Sequence, residues 1–195
     1  MRKFLMLLIC LVCSATAFAQ KTQEVFLSIG VLPYDEMTIE TPYGYYDNIL
    51  DLYDAYETQF RNGSYSALIN LEYHKFLSKR ISLGACASYG FGDADLYDPL
   101  EDVIIGKRSV NNLYLLARFR YCYQHSERGE LYSGVSAGTK LSYITDPGQQ
   151  KSFKAGLAGE LVLIGLSYGK KIPVYAELVI GNTQAPYRFG IGYKF

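Results

Sequence analysis

The sequence predicts an all-β protein, an eight-stranded antiparallel transmembrane β-barrel laid out as an up-and-down meander. Three observations point there: a short export signal at the N-terminus, period-two alternation that recurs along the rest of the chain, and connections that alternate between long and short. Composition agrees with this. Hydrophobic residues make up 49% of the 195, with 19 Tyr, 18 Gly, 10 Phe and no Trp, too apolar for a disordered chain. The 19 Lys and Arg balance 19 Asp and Glu, so no basic excess draws the chain to nucleic acid.

The first element is the signal. Arg2 and Lys3 precede the apolar run Phe4–Cys13, and Ala17-Phe18-Ala19 supplies the small-x-small pattern of a cleavage site before Gln20. The run is shorter than the roughly 20 residues that a membrane-spanning helix needs. Residues 1–19 are therefore read as a signal peptide and 20–195 as the barrel domain. Removing Arg2 and Lys3 leaves 17 bases against 19 acids, a net charge of −2, and only Cys86 and Cys122 of the 4 cysteines. Two cysteines do not make a disulfide scaffold.

Eight strands follow, near residues 23–32, 64–76, 81–91, 110–123, 130–143, 152–166, 173–181 and 186–195. Their alternation is explicit. Ile69, Leu71 and Tyr73 alternate with Asn70, Glu72 and His74; Leu113, Leu115, Ala117, Phe119 and Tyr121 alternate with Tyr114, Leu116, Arg118 and Arg120. In the sixth strand Lys154 and Glu160 share a face onto which Ile164 and Leu166 then fall, a phase break that a bulge near Gly165 or an early strand end would explain. Connections at 33–63, 92–109, 144–151 and 182–185 alternate with short turns at Leu77–Arg80, Gln124–Gly129 and near Gly169–Ile172. Long loops on one side and short turns on the other are the layout of an outer-membrane barrel.

Polarity decides which face meets lipid. One face of nearly every strand is apolar, whereas the other carries Glu72, His74, Arg118, Arg120, Lys140, Lys154, Glu160, Glu177 and Arg188. Eight strands enclose only a packed core or one small ligand, so the many Tyr and Phe would overfill the interior. Small residues on the polar face (Gly84, Gly90, Gly134, Gly138, Gly156, Gly190 and Gly192) suit a crowded lumen. The charges are therefore expected inside and the apolar face in lipid. Tyr65, Tyr89, Phe91, Tyr143, Phe153 and Tyr187 then form a band at the loop side, and Tyr73, Phe119, Tyr121, Tyr123, Tyr193 and Phe195 one at the turn side, as interfacial girdles require.

With its signal, its strand pattern and its closing Tyr187-x-Phe189-x-Ile191-x-Tyr193-x-Phe195, the sequence resembles the small eight-stranded outer-membrane β-barrel proteins of Gram-negative bacteria. The resemblance implies an outer-membrane location, contact with outer-membrane lipid and lipopolysaccharide, and a final strand read by the barrel-assembly machinery through Phe189, Ile191, Tyr193 and Phe195. It also implies a free-standing monomeric barrel. It leaves the task open, since such barrels serve as adhesins, enzymes, small pores and envelope stabilisers.

Chemistry has few candidates. His74 and His125 are the 2 histidines, and both fall toward the turn side. Outer-leaflet enzymes resembling lipid A deacylases or palmitoyltransferases need catalytic groups at the loop side. Ser126 adjoins His125, but adjacency in sequence does not make a nucleophile and base. No catalytic residue, cofactor site or metal site is assigned. The inward charges fit a paired network that blocks the lumen, with a narrow water path as the functional alternative. Cys86 and Cys122 both point inward on adjacent strands but at different heights, which disfavours a disulfide.

The long loops are acidic. Residues 33–63 hold Asp35, Glu36, Glu40, Asp47, Asp51, Asp54 and Glu57 against Arg61, and residues 92–109 hold Asp93, Asp95, Asp98, Glu101 and Asp102 against Lys107 and Arg108. Ile49, Leu50, Tyr53, Tyr56 and Phe60 recur at helical spacing, so a short amphipathic helix in the first extracellular loop and a plain solvated loop fit equally. Asp93-x-Asp95-x-x-Asp98 lacks the Gly and closing Glu of a calcium loop. The expected role is a surface-exposed binding or envelope-structural protein acting through acidic loops on an unknown external ligand. The alternatives are a small passive pore and, after it, an outer-leaflet lipid-modifying enzyme.

Overall fold

The computed structural model describes residues 23–31, 59–98, 102–126, 128–146, 151–183 and 185–195, so the expected signal peptide and most of the first loop lie outside it. Nine strand segments are present: β1 Gln23–Val31, β2 Gln59–Tyr65, β3 Leu68–Phe76, β4 Ile81–Asp98, β5 Val103–His125, β6 Gly129–Thr145, β7 Lys151–Tyr168, β8 Val174–Gly181 and β9 Tyr187–Lys194. β2 and β3 both pair with β4 and are two parts of one barrel strand, interrupted at Ser66–Ala67. At that break the Ser66 N–H donates to the Phe91 carbonyl at 2.8 Å, and its hydroxyl accepts from the Phe91 N–H at 3.0 Å. The barrel therefore has eight antiparallel strands. It closes where β1 pairs with β9, from Glu24 opposite Lys194 to Val31 opposite Tyr187. Main-chain bonds between Gln23 and Phe195, at 3.0 and 2.9 Å, finish the seam. Closure pairs β1 with β3 on one side and β9 on the other, so the seam presents no free edge.

The polarity is inverted relative to a soluble barrel, as the alternation predicts. Leu27, Ile29, Leu71, Leu115, Leu161, Phe189 and Ile191 are exposed on the outside, while Glu72, His74, Arg118, Arg120, Glu160, Glu177 and Arg188 are buried inside. Such an outer surface is stable only against lipid, because apolar area left in water forgoes about 25 cal/mol per Å². Tyr89, Phe91, Tyr143, Phe153 and Tyr187 ring the loop side, and Tyr73, Phe119, Tyr123, Tyr168, Tyr193 and Phe195 ring the turn side.

The expected phase break is a bulge. The register shifts between Val162 and Ile164, so Leu163 and Ile164 both face outward and Gly165 returns to the inside. Ser133 Oγ donates to the Leu163 carbonyl at 2.6 Å and ties the bulge to β6. Gly165 is required there, since a Cβ would stand 2.1 Å from the Tyr132 ring.

Three expectations need correction. Residues 92–109 are largely a hairpin, because β4 and β5 stay paired up to Asp98 opposite Val103. Asp93, Asp95 and Asp98 thus lie on a strand; above the lipid both faces are wet, so apolar alternation is not needed for pairing. Asp102, with φ of 55°, takes the left-handed conformation at the turn, which Asp tolerates better than most residues. Second, Phe60 belongs to β2, so the proposed helical stretch cannot run that far; Asp51, Asp54 and Glu57 lie outside the described residues. Third, Gly156 has nothing within 4 Å of a built Cβ, unlike the crowded lumen glycines. Its neighbours Ala155 and Leu157 are exposed too, because β8 ends opposite Glu160 while β7 continues to Lys151.

Candidate functional site

The strand alternation places a charged side chain from several strands at the same depth of the lumen. Arg118, on β5, is the hub. Its Nη1 meets Glu72 from β3, with Glu177 of β8 at 3.2 Å, and its Nη2 reaches Glu160 of β7 at 2.5 Å. Its Nε donates to Ser136 Oγ of β6 at 3.0 Å. Arg188, on β9, also grips Glu160, donating through Nη1 at 2.8 Å and through Nη2. Hydroxyls complete the carboxylates: Tyr132 donates to Glu177 at 2.9 Å, Tyr175 to Glu72 at 3.1 Å and Thr183 to Glu160 at 2.5 Å. A buried pair of this kind holds only while its lone pairs and protons are satisfied.

Arg120 is held differently. Its guanidinium carbon lies 4.0 Å from the Tyr132 ring centroid and 5.3 Å from that of Phe26. Glu24, Glu177 and Glu72 stand off at 3.6, 3.7 and 3.8 Å. Stacking, not direct hydrogen bonding, fixes this cation. Towards the turn side, Lys194 spans the lumen from Glu24 at 2.9 Å to Glu130 at 2.6 Å, joining the seam to β6.

Apolar layers bracket the charges. One cluster, toward the loop side, holds Leu68, Cys86, Tyr114, Leu116, Ala158 and Ala185; the other starts at the turn side with Phe76, Cys122 and Tyr132 and reaches past Glu177 to Val162 and Val179. The connection from β8 to β9 folds inward, burying Thr183 and Ala185. The lumen is thus filled by side chains in alternating layers. Both cysteines are free and buried, and the ionic layer stands between them.

Of the expected lumen network, Glu72, His74, Arg118, Arg120, Glu160, Glu177 and Arg188 come together. Two members do not. Lys140 is half-buried, its Nζ 5.5 Å from the Tyr114 ring centroid, and Lys154 is exposed at the top of β7. Both lie on the inward face but above the sealed zone, a difference of height that alternation cannot report. Glu24, Glu130 and Lys194 were missed. Glu24 alternates in phase with Phe26 and Ser28, and Glu130 with Tyr132 and Ser136, so both inward positions could have been read. Tyr114, Tyr132 and Tyr175 are buried inside, in phase with Arg118, Lys140 and Glu177 on their strands.

Both histidines lie against carboxylates. His74 Nε2 lies 3.2 Å from Glu72 inside the lumen, and His125 Nδ1 lies 3.4 Å from Glu130 at the turn side. Ser126 Oγ donates to the Gly129 carbonyl at 3.0 Å and accepts from the Gly129 N–H at 2.9 Å, so it closes a turn.

Outside the membrane band, Asp93 is engaged by Lys107 at 2.9 Å and by Ser109 at 3.1 Å. The hydrogen bond to Asp93 holds the Lys107 ammonium above its ordinary range, with the carboxylate charge adding to the effect. At the hairpin base Arg108 pairs with Asp146, and near the tip the Tyr97 hydroxyl donates to Asp102. Among the described residues no group of three or more His, Cys, Asp or Glu is disposed to hold a metal ion.

No family model matches the sequence, and no curated protein matches it. Solved structures do. The N-terminal β-barrel domain of Pseudomonas aeruginosa OprF is 16% identical over 91% of this chain and 99% of that one, with a TM-score of 0.47. The outer membrane protein OprG of the same organism is 14% identical over 91% and 97%, with a TM-score of 0.46. Ail, the attachment invasion locus protein of Yersinia pestis, in complex with the heparin analogue sucrose octasulfate, is 13% identical over 90% and 97%, with a TM-score of 0.45. The assignment itself rests on the closed antiparallel sheet, the apolar exterior between two aromatic rings and the ionic interior. The chain is an eight-stranded transmembrane β-barrel of the outer-membrane type.

Proposed function

We propose that this barrel is a surface-exposed binding or envelope-structural protein that acts outside the membrane, through its acidic extracellular segments, and neither conducts nor catalyses. One observation carries the reading: the lumen is filled by an ionic layer between two apolar layers, whereas β4 and β5 continue past the aromatic ring as a paired hairpin. A barrel whose interior is occupied by its own side chains has its free surface at the loops. The positions of His74 and His125, away from the loop side, support a role without catalysis. Phe189, Ile191 and Phe195 are exposed on the last strand, as is Tyr193, which fits their proposed reading by the assembly machinery.

The test is conductance. Purified protein in planar bilayers gives no stable step under this reading; a steady single-channel step that changes in Arg118→Ala would make the protein a pore. Lipid A masses identical with and without the gene are expected, and a shift by one acyl chain would assign it to the outer-leaflet enzymes.

A further inference from the structure

The two ends of the barrel differ in charge. Among the described residues, the side-chain carboxylates that reach the surface are Asp93, Asp95, Asp102 and Asp146, all at the loop side. The described carboxylates toward the turn side, Glu24 and Glu130, are buried and bridged by Lys194. In sequence the three short turns hold Lys79, Arg80, Arg128, Lys170 and Lys171 against Glu127. Lys79, Arg80, Arg128 and Lys171 are exposed. Three of these cations sit on backbone that is fixed in the same way. The Arg80 carbonyl accepts from the Cys122 N–H at 2.7 Å, the Arg128 carbonyl from the Gly169 N–H at 2.7 Å and the Lys171 carbonyl from the Lys194 N–H at 3.0 Å. Each basic residue thus ties its turn to the neighbouring element, at three places around the rim. Two of them also touch aromatic residues at this end of the barrel. Arg80 Nη1 donates to the Tyr121 hydroxyl at 3.5 Å, and Lys171 Nζ stands 5.7 Å from the Tyr193 ring centroid.

We infer that the turn-side rim is a binding surface for the phosphates of anionic phospholipids. The inference goes beyond binding at the loops and stands independently of it. Depth selects the occupant. Tyrosines of an aromatic ring sit at the level of lipid headgroups, so a cation in contact with Tyr121 or Tyr193 meets the phosphate layer, its stem lying along apolar surface. Ile172, directly after Lys171, is 66% exposed, as a residue facing lipid would be. The turns are too tight to carry the bases out toward a soluble polyanion: the Leu77 and Ser78 N–H groups both donate to the Ile81 carbonyl, at 2.8 and 3.2 Å, and the Ser126 N–H donates to the Gly129 carbonyl at 2.9 Å. Charge then selects the headgroup. Bases near a membrane surface each add to the attraction for anionic lipid, and at this end no exposed carboxylate among the described residues offsets them. The main-chain ties hold the cations on a preorganised frame, so little ordering is needed on contact.

The experiment places the full barrel in phosphatidylcholine bilayers. Electron spin resonance then measures how spin-labelled phosphatidylglycerol and spin-labelled phosphatidylcholine partition to the protein surface. Phosphatidylglycerol is expected to be favoured by about threefold or more, and the preference to fall as salt rises. The quadruple variant Lys79→Gln, Arg80→Gln, Arg128→Gln, Lys171→Gln should bring the ratio to about one. The milder pair Lys79→Gln, Arg128→Gln should lower it part of the way, whereas Arg80→Lys with Arg128→Lys should keep it. Lys107→Gln, at the loop side, should leave it unchanged. Heat-modifiable gel migration of each variant confirms that the barrel is intact. Equal partition of the two lipids in the unaltered barrel, or a preference that neither neutralised variant lowers, overturns the inference. A preference abolished by millimolar inorganic phosphate at constant ionic strength would make the rim a site for the free ion, and it too overturns the assignment to lipid.

Discussion

Replacing Arg118 with Met keeps the length of the side chain and removes the one cation among the described residues that touches Glu72, Glu160 and Glu177 together. The three carboxylates do not suffer equally. Glu160 keeps Arg188 and Thr183, and Glu177 keeps the Tyr132 hydroxyl. Glu72 keeps Tyr175 and His74, with Arg120 only at 3.8 Å. This residual satisfaction limits the loss to that of one broken buried pair, about 3–5 kcal/mol, and not a multiple of it. Urea unfolding in lipid vesicles, followed by the shift between folded and unfolded gel bands, measures the change. Adding Glu72→Gln to Arg118→Met should recover part of the loss, with a coupling of about 1 kcal/mol or more, because a neutral amide needs no counter-charge. A loss below about 1 kcal/mol, the size of an exposed ion pair, would refute the sealed ionic layer and mean that water reaches Arg118.

Three further outcomes follow from the geometry. Maleimide should label neither Cys86 nor Cys122 in the folded barrel and both after unfolding; a disulfide, or labelling of the folded state, would contradict their burial in separate layers. Gly165→Ala should destabilise by about 1–3 kcal/mol through the Tyr132 ring, whereas Gly156→Ala should stay within about 0.5 kcal/mol, both read by the same urea series. Lys194→Met should cost about 1.5–3 kcal/mol, since Glu24 and Glu130 lose the ammonium between them. An unchanged unfolding midpoint would mean that Lys194 does not span the lumen.

The fold was legible because inverted polarity leaves a plain trace. Each rung of Ile69, Leu71 and Tyr73 against Asn70, Glu72 and His74 tells which side is lipid, and the short turns fix the order of strands. Height along the barrel was not legible. Lys154 and Glu160 share a face, yet one is exposed and the other buried, because β8 stops opposite Glu160. The extension of β4 and β5 was hidden for a related reason: once both faces are wet, Gly92–Asp95 and Gly106–Ser109 pair by backbone bonds that composition does not betray. The partners of Tyr132 and Tyr175 were not legible, because a phenol suits lipid headgroups as well as buried carboxylates. Only the positions of Glu177 and Glu72 in space decide between the two.

The hub at Arg118 also acts as a proofreader of strand register. Sliding β5 by one residue against its neighbours would turn Arg118 and Arg120 outward together, and an arginine facing lipid at the midplane costs about 2–4 kcal/mol. The same slip would strip Arg118 from the carboxylates of β3, β7 and β8, leaving Arg188 as the cation beside Glu160 and Glu177. Mis-registered sheets are thus penalised on both faces at once, while the correct one completes its ion pairs only once β9, which carries Arg188, is in place. Charges that look like a hazard in a membrane protein act here as a checksum on its assembly.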